Sequence, residues 1–111
     1  MKYLRLKRKK DFSKIVKSGK RIYAPSLTIV IFPAKQTKMA VCVGKKYGKS
    51  VERNRIKRLL REAFRTQEGE IVSPCHILLI PKVAEKYEYG VFWRDIGKLL
   101  RREKLLETQN A

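Results

Sequence analysis

The sequence is poor in the residue types that build protein active sites. Its 111 residues include one histidine, two cysteines and ten acidic residues. The acids form no pair placed for general acid–base catalysis, and His76 lies in an apolar, strand-like run without a nucleophile beside it. Cys42, Cys75 and His76 provide too few ligands, at the wrong spacing, for a structural zinc site. We therefore expect neither a protein-only catalytic centre nor a metal ion held by side chains alone.

Long apolar segments are also missing. No apolar run approaches the roughly 18 residues that suggest a membrane span. The cationic N-terminus MKYLRLKRKKDF is not followed by the apolar stretch of a secretory signal. We therefore expect a cytoplasmic protein, in which buried reduced thiols at Cys42 and Cys75 are favoured over a disulfide.

The charges are strongly unbalanced, with 28 lysines and arginines, a formal net charge of +18 and a pI near 10.3. The hydrophobic fraction of 43% is sufficient for one folded core. We therefore expect a single domain over residues 1–111 with a basic arm at residues 1–9. Nucleic acid is the first partner to consider for such a charge, and an anionic membrane surface the second.

Apolar periodicity and chain breakers predict three helices and three main strands. In chain order these are a helix at 9–18 that Gly19 ends, strands at 27–32 and 39–43, a central helix from residue 50, a strand at 75–80 and a helix at 89–106. The predicted fold is an α/β sandwich with a small mixed sheet and the element order α-β-β-α-β-α. We expect the first two strands to pair as a hairpin, with a minor strand near residues 21–23 that lengthens the sheet.

The central helix has a strongly basic side. Ser50 is its predicted N-cap, and an apolar stripe recurs at helical spacing at Ile56, Leu59, Leu60, Ala63 and Phe64. The opposite side carries Asn54, Arg58, Arg61 and Arg65, and the segment from Lys49 to Gln67 has a net charge of +5. Arg53 falls near the edge of the apolar stripe, so we expect it to point toward what the helix packs on. A solvated charged face is the simpler interpretation, but a surface for polyphosphate is favoured.

The loop before this helix superficially resembles a nucleotide-binding loop. Only three residues separate Gly44 from Gly48, whereas the nucleotide pattern needs four before its Lys-Ser pair. The spacing therefore argues against a nucleotide cofactor. A helix N-terminus flanked by Lys45 and Lys46 still favours an anion such as an RNA phosphate.

The segment GKKYGKSVERNRIKRLLREAFR resembles the RNR signature of the bacterial ribonuclease P protein family. Arg53, Asn54 and Arg55 match its name-giving triplet, and the resemblance covers nearly the whole chain. It implies a left-handed crossover around the central helix. It also implies a protein component of ribonuclease P, which assists Mg²⁺-dependent endonucleolytic removal of the 5′ leader from precursor tRNA. The catalytic RNA subunit would hold the Mg²⁺ ions, and the resemblance implies no organic cofactor and no membrane partner.

The resemblance further implies two sets of RNA-binding residues. The contacts to the catalytic RNA would be Lys45, Lys46, Lys49, Arg53, Asn54, Arg55, Lys57, Arg58, Arg61 and Arg65. The groove for the precursor-tRNA leader would be Lys9, Phe12, Val16, Val30 and Arg53. Periodicity alone favours Phe12 as a core residue, and Val16 stands where many members of the family have a second aromatic.

Two other functions are compatible with the charge. A generic RNA-binding or ribosome-associated protein without a role in cleavage would show no preference for RNA that bears a leader. A cationic membrane-surface protein would place bulky aromatics opposite its cations, where the central helix has only Phe64. We rank the membrane alternative last.

Overall fold

A computed structural model describes residues 4–6, 9–67, 71 and 73–103 of the chain. The predicted order of the three helices and the main strands is confirmed. The strands are β1 (Leu4–Arg5), β2 (Lys20–Tyr23), β3 (Leu27–Pro33), β4 (Lys38–Val41) and β5 (Cys75–Pro81). The helices are α1 (Lys9–Ser18), α2 (Ser50–Arg65) and α3 (Tyr89–Arg102). The last helix ends at Arg102 with Glu103 as its C-cap, so its predicted continuation is wrong at residue 103. Residues 104–106 of that prediction lie outside the described residues, as does most of the basic arm.

The strands form one mixed sheet in the order β1-β4-β5-β3-β2. The β4 strand runs parallel to β1 and β5, whereas β3 is antiparallel to β2 and β5. The predicted hairpin between β3 and β4 is therefore wrong, because β5 lies between them. The physical reason is that β5 is apolar apart from His76 and buries residues of both faces, so it takes a central position with two neighbours.

Helices cover the two faces of the sheet unequally. On one face, α2 and α3 enclose the larger core, in which Leu60, Phe64 and Phe92 are among the largest buried side chains. On the other face, the short α1 is the one helix of the described chain that packs over a smaller cluster around Ile15 and Leu78. Ten residues of helix cannot cover a five-stranded sheet, so the described residues leave part of the α1 face open.

The α2 helix connects two parallel neighbouring strands, β4 and β5. This is the crossover that the family resemblance implies, and its left-handedness stays a prediction. Because β4 and β5 both finish at the same end of the sheet, the loop after β4 and the start of α2 lie at that end.

The junction of α1 with the sheet leaves no room for a side chain at Gly19. A Cβ at this position would lie 2.5 Å from the Ile15 carbonyl oxygen, 2.6 Å from Val30 Cγ1 and 3.2 Å from the Ile31 carbonyl oxygen. Two of these three atoms are backbone, which a side-chain rotation cannot move. The predicted helix stop at Gly19 is confirmed, and the close approach explains why this position holds a glycine.

We expect Gly19→Ala to lower the free energy of unfolding by about 1–3 kcal/mol, the usual cost of overpacking. Urea denaturation measures this change. Gly44→Ala is the matched control, because a Cβ there would meet nothing within 4 Å and its φ of −93° suits any residue. Equal unfolding midpoints for the two variants would contradict the close packing of α1.

A buried carboxylate ties α3 to the turn between β2 and β3. The Ser26 backbone N–H donates to Asp95 Oδ2 at 3.2 Å, and Arg94 Nε donates to Oδ1 at 3.4 Å. Burial alone would raise the pKa of Asp95, but these hydrogen bonds outweigh it and hold that pKa below its ordinary value.

Because the folded-state pKa of Asp95 is depressed, its stabilising contribution is present above the ordinary aspartate pKa. That contribution is lost as pH falls through the folded-state pKa. We expect Asp95→Asn to lower the free energy of unfolding by about 1.5–3 kcal/mol at neutral pH, the range for hydrogen bonds to charged groups. The difference in unfolding free energy between the variant and the native protein should narrow as the solution is acidified below about pH 4. Urea denaturation at several pH values measures this difference. A gap that is constant with pH would contradict the role given to the ionised carboxylate.

Candidate nucleic-acid interface

The exposed side of α2 carries the predicted cations. Ile56, Leu60, Ala63 and Phe64 are buried as the periodicity predicts, and Leu59 is partly buried. On the opposite side Asn54, Arg58 and Arg65 are exposed, while Arg61 is half-buried. Arg65 Nη2 pairs with Glu62 at 2.8 Å, and this hydrogen bond lowers the pKa of the Glu62 carboxyl. Within the described chain, no carboxylate lies within 4 Å of the guanidinium nitrogens of Arg58 or Arg61.

The loop before α2 holds three more exposed cations, Lys45, Lys46 and Lys49. A 3₁₀ turn at Lys45–Tyr47 places Tyr47 inside, where its hydroxyl donates to the carbonyl of Pro81 at the end of β5. Lys46 Nζ lies 5.3 Å from the centroid of the same ring. The loop is therefore fixed to the sheet through Tyr47 while its lysines face outward.

The first turn of α2 differs from the prediction in one detail. The N-cap is Lys49 and the helix begins at Ser50, with no side-chain hydrogen bond capping it. Gly48 just before it has a φ of +122°, a region that side-chain-bearing residues rarely adopt, and this bend directs the chain into the helix. The prediction of Ser50 as the N-cap is therefore wrong by one residue.

The three residues of the RNR triplet point in different directions. Asn54 is exposed, and Arg55 Nη2 donates to the Tyr87 carbonyl at 3.5 Å on the side of α2 that faces the loop before α3. Arg53 lies on the opposite flank, as does the half-buried Lys57, because each residue turns the helix by about 100°. Arg53 is half-buried, and its Nε is buried without a hydrogen-bond partner among the residues that the structure describes. The prediction that Arg53 points toward the packed side is confirmed.

Strand register shows which part of the α1 face stays open. Val30 is opposite Leu78 on β5, Leu78 is opposite Ala40 on β4, and this row packs with Ile15 of α1. The next row on the same face, nearer the end where β4 and β5 finish, contains Thr28 opposite Ile80. Its continuation is Cys42, which follows β4 and donates its N–H to the Leu79 carbonyl at 2.9 Å. Thr28, Ile80 and Cys42 are each half-buried rather than covered.

The orientation of α1 makes this second row the floor of a groove. Lys14 Nζ lies 5.4 Å from the Phe32 ring centroid, so that flank of the helix faces the other end of the sheet. At 100° per residue, Phe12 and Val16 fall on the opposite flank, above the open row. Phe12 is half-buried, and Val16 is 50% exposed. We call the space bounded by Phe12, Val16, Thr28, Ile80 and Cys42 the α1 groove.

Two predicted groove residues, Val30 and Lys9, are not among the residues that bound the α1 groove. Val30 has no exposed surface because Ile15 packs over its row, so its side chain is not available to a ligand. The accessible β3 residue on this face is Thr28, two positions earlier. Lys9 begins α1, but its side chain lies outside what the structure describes.

The groove and the α2 surface meet at one end of the sheet. The floor row lies where β4 and β5 finish, and α2 begins after the loop that follows β4. The RNR triplet in the first turns of α2 is therefore close in the fold to the Cys42 end of the groove. This juxtaposition is not visible in the sequence, where Phe12 and Arg53 are 41 positions apart.

The structure bears on other ligands as well. Among the described residues, no three His, Cys, Asp or Glu side chains come together in a way that would hold a metal ion. Over the same residues, no helix is long and apolar enough to cross a membrane. Both cysteines are free thiols, and burial raises the pKa of Cys42 and raises that of Cys75 to about 11. These cationic surfaces suit phosphate oxygens and do not fit Mg²⁺ bound by protein side chains alone.

Comparisons with known proteins agree on one family. The family profile described as "Ribonuclease P" matches residues 1–104. The Ribonuclease P protein component of Coprothermobacter proteolyticus is 36% identical over 100 residues, covering 90% of this chain and 83% of the relative. That of Thermotoga maritima is 34% identical over 108 residues, covering 93% and 92%. The RNase P protein structure from Staphylococcus aureus superposes with a TM-score of 0.80 at 25% identity, covering 93% of this chain and 97% of that one.

Proposed function

This chain belongs to the ribonuclease P protein family, and we propose that it binds the catalytic RNA through α2 and the 5′ leader of precursor tRNA through the α1 groove. Its family provides protein components of an endoribonuclease that acts with an RNA subunit in tRNA 5′ processing. The proposal assigns a separate surface of the chain to each RNA. We also propose that residues 1–111 act as one RNA-binding domain in the cytoplasm.

The observation that carries the proposal is the meeting of two different surfaces at one end of the sheet. The α2 surface is cationic, and the guanidinium groups of Arg58 and Arg61, which have no carboxylate partner among the described residues, suit phosphates and base edges. The α1 groove is apolar with an aromatic wall, which suits unstacked bases of a single strand. A chain that serves only to neutralise RNA charge needs the first surface and has no use for the second.

For the α2 surface we propose the contacts implied by the RNR motif. They are Lys45, Lys46, Lys49, Arg53, Asn54, Arg55, Lys57, Arg58, Arg61 and Arg65. The exposure of most of these residues supports the assignment. Arg53, Lys57 and Arg61 are half-buried. Arg53 differs from the other two because its guanidinium lies near the groove, which suits it to contact both RNAs. For the groove we propose Phe12 and Val16 on the helix wall above Thr28, Ile80 and Cys42.

The chemistry in this proposal belongs to the RNA subunit. Mg²⁺ ions held mainly by RNA would activate the attacking water and stabilise the leaving oxygen. The protein contributes through its positive field, which lowers repulsion between two polyanions and so should lower the Mg²⁺ concentration that the complex needs. Its groove adds contacts to the leader, which only the precursor has.

Binding to matched tRNAs tests the proposal. The protein is assembled with a bacterial ribonuclease P RNA in Ca²⁺, and its affinity is measured for one tRNA with and without a leader. The calcium ion maintains RNA folding while slowing cleavage. We expect the protein to tighten binding of the precursor more than binding of the mature tRNA. Equal tightening of both would favour a generic RNA-binding protein and would contradict the leader groove.

A further inference from the structure

An exposed tyrosine lies at the outer end of the α1 groove. Tyr23 is opposite Thr28 in the antiparallel pair of β2 and β3, so it continues the floor row of Thr28, Ile80 and Cys42. Its side chain is 60% exposed, more than those of Val16 and Trp93. Ile22, the residue before it, points to the opposite face and is buried in the larger core. The alternation along β2 therefore fixes Tyr23 on the groove side of the sheet.

Phe12 and Tyr23, the two aromatic residues of the α1 groove, lie toward opposite ends of the groove. The α1 helix finishes beside β2, because Gly19 leads directly into Lys20. Phe12 is one helical turn further from β2 than Val16, about 6 Å along the axis. Phe12 therefore lies toward the β4 side and Tyr23 lies on β2. The floor between Cys42 and Tyr23 crosses four strands, roughly 14 Å, since neighbouring strands are about 4.8 Å apart.

The surroundings of Tyr23 suit a nucleic-acid strand. Arg21, two residues earlier on the same strand, projects from the same face and is exposed. A tyrosine ring offers a face on which any base stacks, and a neighbouring guanidinium offers a partner for the backbone phosphate. A single RNA strand offers a base for the ring of Tyr23 and a phosphate for the guanidinium of Arg21, whereas an acidic or apolar protein segment lacks this combination. The net charge of +18 on the chain also favours an anionic strand.

We propose that Tyr23 is a second base-stacking residue of the α1 groove and holds a leader nucleotide at its β2 end, with Arg21 on the adjacent phosphate. This inference rests on the proposed function and extends it to residues outside the RNR motif. The leader would then cross the sheet from the start of α2 to β2, which is an edge strand. Leader recognition then depends on two aromatic residues from different elements, Phe12 on α1 and Tyr23 on β2.

The test compares Tyr23→Ala with Tyr23→Phe in the complex with the ribonuclease P RNA. Binding is measured for a tRNA with a long leader and for its mature form. We expect Tyr23→Ala to weaken precursor binding on the order of tenfold and leave mature tRNA unaffected, while Tyr23→Phe retains stacking and affinity. Tyr89→Ala is the matched control, because Tyr89 is an exposed tyrosine on α3, which packs on the other face. The thermal midpoint of each free variant checks that it is folded.

The salt dependence of precursor binding distinguishes base stacking by Tyr23 from phosphate binding by Arg21. Arg21→Ala should make the log–log salt dependence of precursor binding shallower by about 0.7, the value for one phosphate contact on a single strand. Tyr23→Ala should leave that slope unchanged, because stacking releases no counterion. Shortening the leader until it no longer reaches β2 should abolish the effect of Tyr23→Ala while Phe12→Ala still weakens binding.

The remaining outcomes show whether the inference about Tyr23 fails alone or together with the proposed function. If the native protein discriminates precursor from mature tRNA but Tyr23→Ala behaves like Tyr89→Ala, the inference is wrong and the proposed function stands. Equal losses on both tRNAs would also overturn the inference, because they would place Tyr23 on another RNA surface. If the native protein itself does not discriminate, the proposed function fails, and the inference fails with it.

Discussion

Replacing Phe12 with alanine should weaken binding of leader-bearing tRNA by about 1–3 kcal/mol, roughly five- to 150-fold, with little effect on mature tRNA. The reason is that Phe12 is half-buried on the groove flank of α1, above the open row of the sheet. One part of its ring packs against the small cluster, while the remainder is available to a base. Equilibrium binding of the two tRNAs to the assembled complex measures the difference directly.

A second substitution separates stacking from packing at this position. Phe12→Leu keeps most of the apolar contact with the cluster but removes the flat aromatic face. We expect it to lose affinity for the precursor while its unfolding free energy falls by less than that of Phe12→Ala. If precursor and mature tRNA lost affinity equally in both variants, Phe12 would be a core residue whose loss disturbs the whole protein.

Removing either Arg58 or Arg61 should reduce the salt dependence of binding to the catalytic RNA. Each guanidinium projects from the cationic side of α2 without a described carboxylate partner, so each is free to neutralise a phosphate. We expect Arg58→Ala and Arg61→Ala each to weaken binding and to flatten the slope of log affinity against log salt by about one unit. The double variant should lose about two units, since separate phosphate contacts are expected to add.

The control for this prediction is Arg102→Ala. Arg102 is an exposed arginine in the last turn of α3 rather than on α2, and its removal changes the net charge of the chain by the same amount. A slope that flattened equally for Arg102→Ala would show that total charge, rather than the α2 surface, determines binding. An unchanged slope for Arg58→Ala and Arg61→Ala would remove this side of α2 from the interface.

Local features of α2 were predictable because the information lies within the helix itself. Its apolar stripe recurs at helical spacing from Ile56 to Phe64 within a helix of sixteen residues, so the sequence alone places Ile56 and Phe64 inside and Arg58 outside. The position of Arg53 at the edge of the stripe followed from the same geometry. The RNR motif also identified the family, which the profile and the relatives confirm.

Pairing of the strands was less predictable because it depends on distant parts of the chain. The β3 and β4 strands are sequence neighbours, yet β5 separates them, and nothing in residues 27–43 shows that the strand beginning at Cys75 will insert between them. The two-residue β1 strand lies within a basic segment whose apolar–polar alternation, Leu4-Arg5-Leu6, is too short to indicate a strand. The short separation of β3 and β4 in the sequence favoured a hairpin between them. The strand order is instead set by β5, which is buried on both faces and therefore lies between them.

The composition of the groove was missed for a related reason. Val30 and Thr28 lie on the same face of β3, and the sequence does not show which of them α1 covers. Only the packing of Ile15 over the Val30 row leaves the Thr28 row open. The signal for Tyr23 was present in the alternation of the KRIY segment, which buries Ile22 and turns Tyr23 outward.

The most direct test of the central claim is cleavage of a precursor tRNA by a bacterial ribonuclease P RNA at low Mg²⁺ concentration, with and without this protein. The protein alone is the control. We expect cleavage at the mature 5′ end only when both components are present, with the RNA alone becoming active once Mg²⁺ is raised. Absence of rescue despite tight, salt-sensitive RNA binding would contradict the account, as would cleavage by the protein without RNA.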